Sequence, residues 1–350
     1  MKKFWGDKRI LLTGHTGFKG SWLAEILLKF GGRVTGCSLP AIRHDDLFHL
    51  CELEQQINHH IIDVRNKMQL SDLFEKTMPD VVFHLAAQPL VLPSYTEPTE
   101  TWETNVFGTI NVLESLKTIN KKCAVVMVTT DKVYELDEFN LPKKENDNLG
   151  GHDPYSSSKA AMEIAVSSWR RSFFSKSQVS IATARSGNVI GGGDWSERRI
   201  IPDLVRSLVQ GTDLEIRNPN AVRPWQHVLE PLFGYMKLAE ALYNDDQGSF
   251  ETSFNFGPDK EFTATVNDLV STANEIWGKP KPQFLHQKAR HEASFLALDN
   301  SKARELLGWY PRWSFADSVF HTIDWYKSYF VGSDPASLIK EQIDAYYKTL

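Results

Sequence analysis

The sequence predicts an α/β fold, a doubly wound parallel sheet with a smaller mixed α/β lobe packed on it. Three observations predict it. Short runs rich in Val, Ile and Leu alternate with longer helical patterns through the first half of the chain. A glycine-spaced turn joins the first of these runs to the first helical stretch, and after about Ser186 the pattern changes to segments rich in Gly, Pro and Trp. Brief apolar runs separated by helical stretches read as buried parallel strands with crossover helices.

In chain order, the strands are expected at Arg9–Thr13, Val34–Leu39, Ile61–Val64, Val81–Ala86, Ala124–Thr130 and Val179–Ala184. Helical spacing falls between them, over Lys19–Phe30, Leu70–Lys76, Tyr95–Ile119 and Tyr155–Phe174. Six such units give a Rossmann-like sheet whose ligand crevice lies at the carboxyl ends of the strands. Residues 1–186 are expected to form this first domain. Residues 187–350 are expected to be mainly a second lobe, with some segments returning to the first. That lobe has helices near Ile201–Gln210 and Pro231–Tyr243. No Pro/Ser-rich linker divides the halves, so they should pack over one cleft. The stretch Phe315–Leu350 reads as amphipathic helices rich in Tyr and Trp, a packing element at the edge of the fold or of a dimer.

With 350 residues, 41% hydrophobic and 24% charged, the chain can bury a full core. A net charge of −5 argues against nucleic acid or an anionic membrane as partner, since both need a basic face. Cys37, Cys51 and Cys123 have neither zinc-site spacing nor an even disulfide count, so no metal is expected and a reducing cytoplasm is the simplest setting. The N-terminus turns charged at Asp7–Arg9 before a signal-peptide core could form, and no apolar run reaches membrane-spanning length.

The first strand runs into Thr13-Gly14-His15-Thr16-Gly17-Phe18-Lys19-Gly20-Ser21, and a helix follows at once. Glycines here let backbone approach a pyrophosphate while the helix N-terminus supplies its positive end. The spacing is G-x-x-G-x-x-G. Gly14, Thr16, Gly17, Phe18 and Lys19 are therefore candidate dinucleotide contacts. An acidic residue at the end of the second strand usually selects NAD. Cys37-Ser38-Leu39-Pro40 stands there instead, which leaves NADP open beside NAD. Asp63, next to Val64, could accept from an adenine amine or be an ordinary turn aspartate. Ala86, Ala87 and Gln88 would line the cofactor from the fourth strand.

Tyr155 and Lys159 stand four apart at the start of a helix and share one face. A phenol is a poor base near neutrality, but an ammonium and a cationic nicotinamide favour its phenolate, which can take a proton from a sugar hydroxyl as hydride leaves the same carbon. Coupled to the glycine turn and to Thr129-Thr130 at the end of the fifth strand, this pattern resembles the extended short-chain dehydrogenase/reductase family over essentially the whole chain. The resemblance implies an NAD cofactor and a Thr130-Tyr155-Lys159 triad. Thr130-Asp131-Lys132 is similar to the nucleotide-sugar 4,6-dehydratases of that family that act on CDP-glucose, where the dTDP-glucose type carries Thr-Asp-Glu. Dehydration needs an acid and a base beyond the triad. Asp131 is expected to be the acid and Lys132 the base at C5, unless Lys132 only stabilises the enolate while Asp131 or another group moves protons, or the two form a surface ion pair.

Gly187-Asn188-Val189-Ile190-Gly191-Gly192-Gly193-Asp194-Trp195 and Arg223-Pro224-Trp225-Gln226-His227-Val228 fit the same group, as do His291-Glu292-Ala293, Leu307-Gly308-Trp309, Arg312-Trp313 and Phe4-Trp5. By resemblance, Asn188, Arg223 and Arg290 hold a sugar-nucleotide diphosphate, for which a guanidinium fork is suited. Trp195 and Trp225 could stack on a base or be core. The implied substrate is a nucleotide-diphosphate sugar, CDP-glucose foremost. An epimerase or a dehydratase of another nucleotide sugar stays open, as does a non-catalytic NAD(P)-sensing protein. The resemblance also implies a homodimer through the helix that starts at Tyr155, on Ala160, Ala161, Ile164, Ala165 and Ser168, and through the helix before Ile119.

Overall fold

Strands whose side chains are apolar on both faces need cover on both, and this is how the sheet is built. The structure is a computed structural model that describes residues 1–136, 141–259, 264–278 and 295–350, with backbone alone at 284–286. Arg9–Thr13 (β1), Arg33–Ser38 (β2), Asn58–Ile61 (β3), Val81–His84 (β4), Cys123–Val128 (β5), Val179–Ser186 (β6) and Ser253–Phe256 (β7) form one sheet. The order is β7-β6-β5-β4-β1-β2-β3, with every pair parallel. The chain winds outward from β1 to β3 and then crosses back to β4, so the crevice opens where β1 and β4 diverge.

The helices are Phe18–Lys29 (α1), Lys67–Thr77 (α2), Gly108–Leu116 (α3), Pro154–Trp169 (α4), Ile200–Gln210 (α5), Leu229–Asn244 (α6), Val266–Trp277 (α7), Phe315–Phe330 (α8) and Pro335–Tyr347 (α9). Strand alternation divides the core. Ile10, Leu12, Phe83 and Val126 pack with Trp22, Leu23 and Ile26 of α1 and Leu232, Tyr235 and Met236 of α6. Leu11, Val82, Val125 and Met127 pack on the other face with Leu70, Phe74, Val112, Leu113, Met162 and Val166.

Three elements depart from the expected pattern. A seventh strand, β7, is read from four residues, Ser-Phe-Asn-Phe, and returns from the second half to pair with β6. β3 ends at Ile61 rather than starting there. It is an edge strand of Asn58, His59, His60 and Ile61, whose last residue pairs with Ser38 and is 60% exposed, so the apolar residues of the expected run begin only where the strand ends. The helix expected over Tyr95–Ile119 is interrupted. Pro98 starts a new turn and a π-turn at Glu103–Phe107 precedes α3.

Trp195 and Trp225 are core rather than base-stacking platforms. Trp195 packs edge-on against Tyr326 and beside Tyr329, and the Trp225 indole donates to the Ala264 carbonyl. Trp309 and Trp313 join them, the first through its indole N–H to the Glu230 carbonyl. Glu230 itself is fully buried. It accepts from Trp313 N at 2.7 Å, Arg312 N at 2.9 Å and the Tyr346 hydroxyl at 2.6 Å, tying α9 to α6. Burial pushes its carboxyl up to about 7 against these bonds. The folded chain therefore holds a proton that the unfolded chain releases above pH ~4.5. Stability from this group is full below that pH and is lost as pH rises to about 7. The Glu230→Gln variant is expected to lose this slope, changing the pH dependence of unfolding free energy by about 3 kcal/mol across that window, read by urea denaturation.

Candidate active site

β1 turns into α1 through Gly14, whose φ of 79° is left-handed and whose added Cβ would come 2.7 Å from Ala86 N. At Gly17, the N-cap of α1, an added Cβ would meet only the Gly14 carbonyl, at 3.4 Å, and no side chain caps the helix. Gly17 is exposed and the first-turn N–H groups have no side-chain cap, which makes this turn a cradle that fits a dinucleotide diphosphate. The Thr13 hydroxyl oxygen accepts from Leu85 N and Ala86 N at 3.2 Å and bonds His84 Nδ1 at 2.7 Å, locking β1 to β4. Thr16 donates to the Leu39 carbonyl at 2.9 Å and bonds the Ser38 hydroxyl at 2.8 Å, so it braces the end of β2. Asp63 is salt-bridged to Arg65 at 2.6 Å, and Val64 is buried beside Gly108. Gln88 spends its side chain on Leu90 and Thr101, holding the loop after β4.

The second half of the site grows from the end of β5. Thr130 caps a short turn at Asp131–Val133, and its hydroxyl donates to Asp131 Oδ1 at 3.0 Å. The Lys132 ammonium meets the same Oδ1 at 3.2 Å. Asp131 is buried, and its Oδ2 has no hydrogen-bond partner. That oxygen points at Gly187, where an added Cβ would lie 3.1 Å from it and 2.4 Å from Pro224. Both sequence motifs of the second half therefore converge on Asp131.

Tyr155 is the second residue of α4, after Asp153 and Pro154 have set the helix start. Burial raises its phenol to about 12, and the Thr130 hydroxyl bonded to it pulls the other way. One turn on, Lys159 is buried and donates to the Val128 carbonyl at 3.3 Å, with burial lowering it to about 8. In this state the ammonium is spent on the end of β5 rather than on the phenol. Two cations that the sequence reading did not connect to Tyr155 join the cluster. Arg199 sits at the N-cap of α5, 2.9 Å from Asp194, with its charge felt at Tyr155. Lys19 reaches inward to Ser186, and burial lowers it to about 7. Lys19 belongs to the glycine turn and is expected from the sequence only as a dinucleotide contact, while Arg199 has no motif of its own; their place in the cluster around Tyr155 comes with the fold.

Behind the triad lies a buried ion pair. Glu163, one turn beyond Lys159, accepts from Arg185 Nε and Nη2 at 2.9 Å and from the hydroxyls of Thr129 at 2.5 Å and Thr183 at 2.7 Å. Arg185 also donates to the Tyr134 hydroxyl at 2.7 Å. Removing one partner of such a pair leaves a buried charge, so Glu163→Gln is expected to cost about 3–5 kcal/mol in denaturant unfolding. Asn188 has a buried, unpartnered Oδ1, and Arg223 is buried with Nη1 on the Val222 carbonyl at 2.9 Å. Arg290 lies outside the described residues, as does His291-Glu292-Ala293. Among the described residues no group of three or more His, Cys, Asp or Glu could hold a metal, and no helix is long and apolar enough to cross a membrane.

Comparison with known proteins gives this geometry its relatives. The chain is 42% identical over 99% of its length to CDP-glucose 4,6-dehydratase of Salmonella typhimurium, of which it covers 98%. UDP-glucuronic acid 4-epimerase from Bacillus cereus, solved with UDP-glucuronic acid and NAD, superposes with a TM-score of 0.79 at 25% identity, covering 91% of this chain and 99% of that one. The dTDP-glucose 4,6-dehydratase of Bacillus anthracis, solved with NAD, shares the fold at a TM-score of 0.77 and 21% identity, over 93% and 99% of the two chains. The family model described as GDP-mannose 4,6 dehydratase matches residues 11–322. The chain belongs to the GDP-mannose 4,6-dehydratase family, on the extended short-chain dehydrogenase/reductase fold.

Proposed function

We propose that the chain is an NAD-dependent CDP-glucose 4,6-dehydratase, converting CDP-D-glucose to CDP-4-keto-6-deoxy-D-glucose and water. The observation that carries this reading is the buried, unpartnered Oδ2 of Asp131 beside Thr130, Lys132 and Gly187. Chemistry confined to C4 leaves such an acid–base pair idle, whereas loss of water across C5 and C6 requires one. The full-length relative that bears this activity in its name supports the same substrate.

When bound in the α1 cradle, NAD would accept hydride from sugar C4 and return it to C6. The chain supplies the proton chemistry. Tyr155 takes the proton of the C4 hydroxyl, oriented by Thr130, and Lys159 and Arg199 favour the phenolate. The C4 ketone acidifies the C5 hydrogen. Moving one proton across the 3.2 Å Asp131–Lys132 contact turns the ion pair into a neutral acid and amine. The amine removes the C5 proton, the acid protonates the departing C6 hydroxyl, and the original ion pair is restored as water leaves. As hydride returns to C6, C5 takes a proton from solvent in exchange for the one that Tyr155 gained from the C4 hydroxyl and releases, so that water is the net loss. Asn188 and Arg223, with Arg290, would grip the sugar-nucleotide diphosphate.

We further propose a cytoplasmic homodimer. Trp102 and Phe107 in the segment before α3, Ile164 on α4 and Phe173 in the turn that follows α4 are 38–60% exposed, an apolar face suited to a second copy. Light scattering should give twice the chain mass. The activity is tested by incubating the protein and NAD with CDP-, dTDP-, UDP- and GDP-glucose and following loss of one water by mass spectrometry. CDP-glucose alone should react, with no net reduced cofactor. Water lost only from another nucleotide sugar would keep the chemistry and overturn the substrate.

A further inference from the structure

Lys19 is the second residue of α1, where a side chain is expected to point outward with the first-turn N–H groups. It instead turns toward the end of β6, donating to Ser186 Oγ at 2.8 Å and Tyr235 OH at 3.4 Å, while Tyr235 donates to Ser186 Oγ at 2.7 Å. Its bonded partners are thus neutral hydroxyls. The charges that face it are Arg199 from the cap of α5, Lys159 from α4, and Lys132 and Asp131 from the turn after β5; only Asp131 attracts. Burial and three cations hold it at about 7, so near neutrality the free chain carries it only partly charged. The open α1 cradle lies at the same helix end, and a diphosphate placed there brings two negative charges to a cluster that is short of them.

We propose that Lys19 is a positioning residue for the dinucleotide, its ammonium completed by the ligand's diphosphate, so that dinucleotide binding draws a proton onto Lys19. The inference rests on the NAD reading above. Binding should then take up about half a proton at pH 7 and approach one at pH 8, and affinity should fall by up to about tenfold per pH unit above 7.

Titration calorimetry of NAD into the full chain, in buffers of differing ionisation enthalpy, measures the uptake directly. Wild type should show it, Lys19→Met should lose it and bind NAD more weakly, and Lys19→Arg should bind without it, since a guanidinium stays charged. Uptake that persists in both variants would overturn the proposal while leaving the cofactor reading intact. Failure of wild type to bind NAD at any pH would overturn the cofactor reading and the proposal with it.

Discussion

Asp131→Asn is expected to lower the dehydration rate by on the order of 10²–10⁴-fold while oxidation at C4 survives. The amide keeps the shape of the carboxyl and can still accept from Thr130, but it has no proton to give the departing C6 hydroxyl. It also removes the charge that pairs with Lys132 at 3.2 Å. Tyr155, Thr130 and Lys159 are untouched, so the reaction should stall after its first step. Reduced cofactor would then accumulate with CDP-glucose present, visible in its near-ultraviolet absorbance, where wild type shows no net change. If Asp131→Asn instead bound substrate poorly and accumulated nothing, Asp131 would be a binding residue and the division of labour above would fall.

Tyr155→Phe is expected to have the complementary effect, a loss of similar size with no reduced cofactor formed at all. The phenol is the group that faces both Thr130 and the cationic cluster, and phenylalanine has nothing that can take the C4 hydroxyl proton. Burial holds this phenol at about 12 in the free chain, so the phenolate has to be won from Lys159, Arg199 and the cofactor's own charge. The wild-type rate should rise with pH on the acid side of its profile. In Asp131→Asn the rate of cofactor reduction should keep that rise, because the step it reports still passes through Tyr155.

Much of this was legible in the sequence because it was local. β1 was delimited to the residue, since Ile10-Leu11-Leu12 is bounded by a charge and by the glycine turn. Tyr155 and Lys159 share one end of α4 as their four-residue spacing implies, and Thr130-Asp131-Lys132, singled out by family resemblance, stands at the end of β5 as expected. What could not be read was assembled from a distance. Lys19 and Ser186 are 167 residues apart, and Glu163 and Arg185 face each other only once α4 lies along β6. β7 is too short to signal a strand without β6 beside it. Several of the motifs that pointed most sharply to the family, Trp195, Trp225, Trp309 and Trp313, are packing. Their place is the aromatic core, where close packing leaves little room for a change of shape.

The central claim is that the hydrogen taken from C4 returns to C6 of the same sugar while Asp131 and Lys132 remove water between the two events. CDP-glucose deuterated at C4, turned over by the protein in ordinary water, tests it most directly by NMR of the product. The account predicts deuterium in the C6 methyl group. Deuterium lost to solvent, left in the cofactor pool, or returned to C4 would contradict it.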